Sequence, residues 1–366
     1  EDTMNRNQMI AVAVAAIVVI VAAAVAITYI GEGSDDSSSG EDELLRVTDA
    51  MGNNIQLEER PDRIVSTTVT AAEMISDLGF RAQLVGATTD PGIYDVDSDV
   101  VGIDIEFDYP ASIQSDIDAG TITNVGTFYG WTAESVATAN PDLVIMEASQ
   151  LEADASRMTQ LQSLGVTVIV LWSDSGIDVI ERNYEMLGDA LGASERADQI
   201  NAAISSANTR ISDAVSGSSD LKVAHICYCY GSYYIYDNSS TMQVLSDLGC
   251  EISLRSETSF ATITPEDIAA ADIDLIVFDD MGTDLNWSEV IDQWRADPVM
   301  GQIDAIKNGS IYCLEYSPFQ ATSYDTVHFI EGKALLASII CGDGLGVDVP
   351  MIITDEDWKD SIQWLD

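Results

Sequence analysis

The sequence predicts an α/β protein built as two open-sheet lobes joined by one long helix, with a single apolar segment ahead of them. Three observations predict it. Strand-length apolar runs alternate with helical stretches in two successive cycles. Between the cycles, apolar residues recur every three or four positions from Ala197 to Val215. Residues 9–30 carry no charge at all.

Taken in order, residues 1–8 form a short N-terminus with Arg6 as its one basic residue before the apolar run. Residues 9–30, MIAVAVAAIVVIVAAAVAITYI, exceed the roughly 20 residues that a bilayer-spanning helix needs. They are expected to be a transmembrane anchor, with a cleaved signal peptide as the alternative because Ala24 and Ala26 make an A-x-A pattern. Arg6 places residues 1–8 in the cytoplasm and the rest of the chain on the extracellular face. Residues 31–43 are polar and acidic and read as a flexible tether.

The first lobe is expected over residues 44–193. RVTDAMGNNIQLEE reads as a hairpin around a Gly-Asn turn. RIVSTTV is a strand, TAAEMISDLG a helix stopped by Gly79, and QLVGATT the next strand. DLVIME and VTVIVLW are continuous apolar runs, as strands covered on both faces require. The helix IDVIERNYEMLGDAL follows. The interlobe helix is placed at 194–216, N-capped by Ser194, with Ala197, Ile200, Ile204, Ala207, Ile211 and Val215 on one face. It spans about six turns, or roughly 33 Å at 1.5 Å per residue. One rigid helix would hold the lobes at a fixed separation, whereas strand linkers would allow wide closure. The second lobe, 217–366, repeats the rhythm with LKVAHICYCY, MQVLSDLG, DLIVFDD and SIYCLEY.

Composition excludes several functions. The chain has 62 acidic and 15 basic residues and a net charge of −47. It cannot neutralise phosphates through a general positive field, so nucleic acid is not a partner. Such a charge strains the compact state by self-repulsion and is relieved by salt, which points to a saline exterior. The five cysteines lack CxxC spacing, so neither a disulfide framework nor a zinc ribbon is expected. Cys227 and Cys229 share one strand face. The two histidines, His225 and His328, are too few for a three-imidazole metal site and sit in apolar or strand-like contexts. Asp279 and Asp280 at a strand end read as solvated loop carboxylates. No Gly-rich phosphate loop or nucleophile–base pair stands out, so the chain is not expected to be an enzyme, nor to carry a metal or cofactor of its own.

Five segments stand out in order: VTDAMGNNIQLEERPDRIVSTTVTAAEMISDLGF, NVGTFYGWTAESVATANPDLVIM, QLQSLGVTVIVL, SFATITPEDIAAADIDLIVF and DPVMGQIDAIKNGSIYCL. Together they resemble the solute-binding proteins of ATP-driven importers for cobalamin, ferric siderophores and haem. Their order and spacing over about residues 45–345 make the resemblance specific. It implies two Rossmann-like lobes, a cleft between them, a monomer, and docking to the membrane subunits of an ABC importer. In that family a carboxylate on the first helix of each lobe docks onto importer arginines. Glu73 matches the first position. In the second lobe Ser246 stands where the acid is expected, which leaves Asp247 beside it as a weaker match.

Ligands of open α/β sheets bind beyond the carboxyl ends of the strands. The loops there carry Phe128, Tyr129 and Trp131 in GTFYGW, Trp172, then Tyr230, Tyr233 and Tyr234 in YGSYYIY, and Tyr316 and Phe319 in EYSPFQ. By resemblance, Phe128 stands where family members set an aromatic against the ligand. Anionic siderophores want Arg or Lys, and these loops hold almost none. A nearly neutral metal chelate fits better: a corrinoid or a ferric hydroxamate, with haem and its tyrosine ligands a further option. The stretch 92–113 is longer than the family pattern and is expected to shape a rim of the cleft. A chelate-processing enzyme on the same scaffold, or a ligand-sensing ectodomain, remains an alternative.

Overall fold

A computed structural model describes residues 45–89, 100–107, 113–215, 221–229, 231–237, 239–258, 260–279 and 285–366. The expected N-terminus, anchor and tether over residues 1–43 lie outside them, as do Tyr230 and Asp280. Among the described residues no helix is long and apolar enough to cross a membrane.

The hairpin forms as expected, with β1 (Leu45–Thr48) antiparallel to β2 (Asn54–Leu57). Its turn is held by the Asp49 carboxylate, which accepts from the backbone N–H of Met51 and Asn53. Five strands then make a wholly parallel sheet: β3 (Ile64–Ser66), β4 (Leu84–Ala87), β5 (Thr123–Asn124), β6 (Leu143–Glu147) and β7 (Thr167–Leu171), in the order β5-β4-β3-β6-β7. The chain reverses direction across the sheet between β3 and β6. Two quoted segments lock that register: Asp142 accepts from the N–H groups of Asp62 and Arg63, while the Arg63 guanidinium donates to the carbonyls of Ala139 and Asn140.

Helix α1 (Val69–Asp77) opens at Thr68, whose hydroxyl accepts from Ala71 N–H. Helix α2 (Ile177–Leu191) precedes α3 (Ser194–Val215), which buries Ala197, Ile200, Ile204, Ala207, Ile211 and Val215. Each buried isoleucine contributes about 1.5–3 kcal/mol. In chain order α3 stands between the last strand of this sheet and the first of the next.

The second sheet has seven strands: β8 (Lys222–Cys229), β9 (Ser232–Ile235), β10 (Glu251–Ile252), β11 (Ala261–Ile263), β12 (Leu275–Asp279), β13 (Ile311–Leu314) and β14 (Ile352–Ile353). The order is β11-β9-β8-β12-β13-β14, with β10 beside β8. β9 departs from the expected loop: Gly231, at φ +78°, turns the chain back so that β9 runs antiparallel to β8. The direction of winding reverses between β8 and β12. Helices α4 (Ser240–Asp247), α5 (Tyr316–Ser323) and α6 (Phe329–Leu345) are among the helices of this half.

One hydrophobic core runs through both halves, joining Ile64, Ile145 and Leu171 to Val223, Val277 and Leu314 by way of α3 and α6. Smaller clusters cover the opposite face of each sheet. Of the 92–113 stretch, expected to shape a rim of the cleft, residues 92–99 and 108–112 lie outside the described residues, and the described part does not line the cleft. Val100, Ile103 and Phe107 join the common core, and Val101 N–H donates to Glu331 at 2.9 Å. Arg196 ties this segment down, donating to Glu106 O and to Asp77 O at the end of α1.

Candidate functional site

A cleft of about 280 Å³ lies where the two sheets point their carboxyl ends at each other. From the first half it takes Thr68–Thr70 at the start of α1, Phe128, Tyr129, Glu147 at the end of β6, and Trp172 and Ser173 after β7. From the second half it takes His225 and Cys227 on β8, Tyr236, Ser239, Asp279 at the end of β12, and Phe319, Tyr324 and Asp325 around the end of α5. Both winding reversals, β3/β6 and β8/β12, therefore open into it. Neighbouring loops diverge at such points and leave a crevice.

The GTFYGW turn is aimed by its backbone. Gly126 has φ +128°, and a Cβ there would come within 2.8 Å of Trp131 backbone. Buried Gln150 donates to the carbonyls of Phe128 at 2.8 Å and Thr67 at 2.9 Å, bolting the turn to the end of β3. Phe128 and Tyr129 are directed into the cleft, their rings 4.7 Å apart edge to face, and Tyr129 stays 65% exposed. Trp131 turns the other way: it is 3% exposed in the core, with the Arg157 guanidinium 4.6 Å above its ring. Trp172 lines the cleft, its backbone pinned on both sides by the Asn183 amide and its ring covered by Arg182 at 4.3 Å.

In the second half the β9 hairpin separates the tyrosines. Tyr233 points to the core side and accepts a hydrogen bond from Trp294 Nε1 at 2.7 Å. Tyr234 stacks on Phe260, ring centroids 4.4 Å apart, outside the cleft lining. Phe319 lines the cleft, while Tyr316 stands behind it at 6.4 Å and does not. Trp131, Tyr233, Tyr234 and Tyr316 are thus not brought to the cleft with Phe128, Tyr129, Trp172 and Phe319.

The structure adds groups that the sequence reading missed. Tyr236 is 47% exposed at the cleft, and the alternation of β9 that sends Tyr233 and Ile235 inward was its available signal. His225 lines the cleft with both ring nitrogens engaged: Nε2 meets Asp279 at 2.7 Å and Nδ1 meets Ser239 at 3.3 Å. Asp279 is therefore fully buried and paired, not solvated. All five cysteines are free thiols. Cys227 lines the cleft, but burial, then the Asp279 charge, push its thiol well above the usual range, so it is neither a thiolate nucleophile nor a ready metal ligand. Among the described residues no three His, Cys, Asp or Glu side chains are grouped to hold a metal ion.

Glu73 corrects a further expectation. It is 4% exposed and faces His328 at 3.4 Å, so it presents no surface carboxylate. His328 and Glu331, at the start of α6, bound it in a buried polar seam. There His328 Nδ1 meets Glu331 at 2.8 Å, Lys359 meets Glu331 at 3.0 Å, and Tyr184 donates to Asp77. Burial raises the Glu73 and Asp77 carboxyls above their ordinary values. Burial also disfavours the His328 imidazolium, but the charges of Glu73 and Glu331 outweigh it and its pKa is raised. Burial works against the Glu331 charge as well, yet His328 and Lys359 hold that carboxyl below its usual value. Asp247 is exposed on α4, held by Gln243 at 2.8 Å.

Comparison with known proteins agrees with this geometry. Residues 64–317 match the family described as periplasmic binding protein. An uncharacterized ABC transporter substrate-binding lipoprotein of Bacillus subtilis (strain 168), YvrC, is 26% identical over 156 residues. That match spans 43% of this chain and 42% of the relative. The petrobactin-binding protein YclQ of B. subtilis shares the fold with a TM-score of 0.62, at 15% identity over 84% of this chain and all of that one. A periplasmic heme-binding protein of Pseudomonas aeruginosa does so with a TM-score of 0.60, at 20% identity over 76% of this chain and 92% of that one. These are binding proteins, not enzymes. With the match covering most of both sheets, this chain belongs to the periplasmic binding protein family.

Proposed function

We propose that this protein captures a compact metal chelate outside the cell and hands it to an ABC importer. The observation that carries the reading is the cleft itself. It joins both sheet reversals, is walled by Phe128, Tyr129, Trp172, Tyr236 and Phe319, and has no lysine or arginine among its described lining residues. Aromatic walls with hydroxyl groups between them suit a weakly polar ligand. Anionic catecholate or citrate chelates would meet carboxylates instead of the guanidinium groups they need. About 280 Å³ is at the small end of ligand clefts, which favours a ferric hydroxamate over a corrinoid. Haem is disfavoured because His225 has no free nitrogen for iron.

The common core through both halves supports a cleft that is largely formed before the ligand arrives, with α3 as a rigid spacer between lobes 44–193 and 217–366. Asp247 remains the docking carboxylate of this reading, since Glu73 is enclosed. Residues 9–30 would tether the protein to the extracellular face of the membrane. The test is titration of the full chain in high salt and detergent with cobalamin, a ferric hydroxamate, a ferric catecholate and haem, following tryptophan fluorescence. Saturable quenching by the hydroxamate is the expected result. Binding of the catecholate alone would overturn the reading.

A further inference from the structure

The cleft wall made by β8 does not stop at that strand. His225 and Cys227 on β8 line the cleft. Cys227 pairs with Tyr234 across the β8–β9 ladder, and paired residues stand on the same face of a sheet. Side chains alternate along a strand, so Tyr236, the residue after β9, follows Tyr234 on that face. It lines the cleft as well. In the next ladder Tyr234 pairs with Thr262 of β11, and Ile235 with Ala261. One step further back along the chain, Phe260 comes opposite Tyr236. The other face of these strands is closed, because Tyr233, Ile235 and Ile263 pack into the core cluster behind the sheet.

Three rings therefore gather on the cleft side of the β9–β11 corner. Phe260 is stacked on Tyr234, centroids 4.4 Å apart and planes 12° apart. It meets Tyr236 at 5.9 Å with the planes at 85°. Despite these neighbours Phe260 stays 40% exposed and Tyr236 47% exposed. A lone exposed ring needs no explanation, whereas contiguous ones mark a contact surface. The rings sit on paired strands and brace one another, so the surface is ordered before anything binds.

The occupant follows from where this surface begins. Tyr236 belongs both to the cleft lining and to the ring cluster, so a group leaving the cleft past Tyr236 reaches Phe260 next. The cleft, about 280 Å³, is at the small end for a ligand, and a chelate larger than that projects from its mouth. The perpendicular rings of Phe260 and Tyr236 make a corner in which a flat aryl group stacks on one and meets the other edge-on.

We propose that Tyr234, Tyr236 and Phe260 form an aromatic ledge that binds a planar aryl arm of the chelate, so that the protein selects chelates by what they carry outside the metal centre. This rests on the reading of the cleft as a chelate site. The probes are two ferric complexes of one linear trihydroxamate, ferrioxamine B, with its terminal amine acylated by an acetyl or by a 2-naphthoyl group. Their metal centres and charges are alike and only the arm differs. Equilibrium dialysis of the full chain in detergent against radioiron-labelled probes reads both affinities, with uptake by protein-free micelles subtracted.

The naphthoyl probe is expected to bind about tenfold more tightly. Phe260→Ala is expected to bring the two probes within about twofold of each other. Tyr234→Ala, which removes the ring stacked on Phe260, takes its place should the first variant fold poorly by circular dichroism. Equal affinity for the two probes in the parent chain overturns the ledge and leaves the chelate reading standing. A preference for naphthoyl that survives both substitutions also overturns the ledge. So does a Phe260→Ala chain that binds both probes as the parent does but loses importer-driven uptake, which would assign the rings to the importer. Failure of both probes to bind overturns the chelate reading and the ledge with it.

Discussion

Replacing His328 by glutamine removes the imidazolium that lies between two enclosed carboxylates, Glu73 at 3.4 Å and Glu331 at 2.8 Å. Breaking a buried ion pair by deleting one partner costs about 3–5 kcal/mol, because the other charge stays buried. Glu331 keeps Lys359 and the Val101 N–H, so the loss falls mainly on Glu73 and belongs at the lower end, about 3 kcal/mol. At about 2–4 °C per kcal/mol for a large domain, Tm should fall by about 6–12 °C at pH 7.5. The pH dependence follows from the sign of the shifts. The folded pKa of His328 is raised, so its contribution is fully present below the unfolded value near 6.5 and is lost as pH rises through the folded value. Glu73 is raised as well, so its protonated form also favours the folded state at low pH. His328's own contribution is largest at pH 5, but in His328→Gln the cost is the stranded Glu73 charge, which proton uptake relieves as pH falls, and this second effect is expected to make the penalty smaller at pH 5 than at pH 7.5. Thermal melts by circular dichroism at both pH values, in high salt, check this. A fall in Tm below about 2 °C at pH 7.5, or an equal fall at both pH values, would refute the reasoning. So would a Glu73→Gln/His328→Gln double variant no more stable than the single one.

Other consequences can be measured with the same preparations. Trp131→Ala should cost about 3–5 kcal/mol in denaturant melts, while Tyr236→Ala should leave stability nearly unchanged and weaken chelate binding. Gly332→Ala would set its Cβ 2.0 Å from Ala321 O, where α6 crosses α5, and should destabilise by about 1–3 kcal/mol or more in the same melts. Asp247→Lys should reduce importer-driven uptake in reconstituted vesicles with chelate affinity unchanged; a loss of affinity would place Asp247 at the cleft instead. Cys227 should resist a thiol reagent at pH 8 in the native chain and react fully after unfolding, since its thiol is held protonated.

Most of the fold could be read from the sequence because its strands are apolar runs and its long helix carries one stripe; all six stripe residues are buried. The site was less legible, and for identifiable reasons. Phe128 and Trp131 share one turn, and the positive φ of Gly126 with the Gln150 bond decides which faces the cleft. Tyr233 and Tyr234 part company only because Gly231 folds the segment into a strand. Glu73 matched a family position, yet it is buried against His328, which is distant in sequence and whose approach no local pattern announces. Asp325 lies in a short polar connection with no motif. Its environment comes from Glu147, which is distant in sequence.

The shared core has a consequence for how occupancy of the cleft is felt. Residues of both sheets pack into the same cluster, so neither half keeps its apolar face covered if the other unfolds. The described chain should behave as a single cooperative unit, and a bound ligand then protects all of it. By linkage, a ligand at a hundred times its Kd adds about 2.7 kcal/mol to that one transition. Occupancy therefore registers in the melting temperature whether or not the ligand touches a tryptophan.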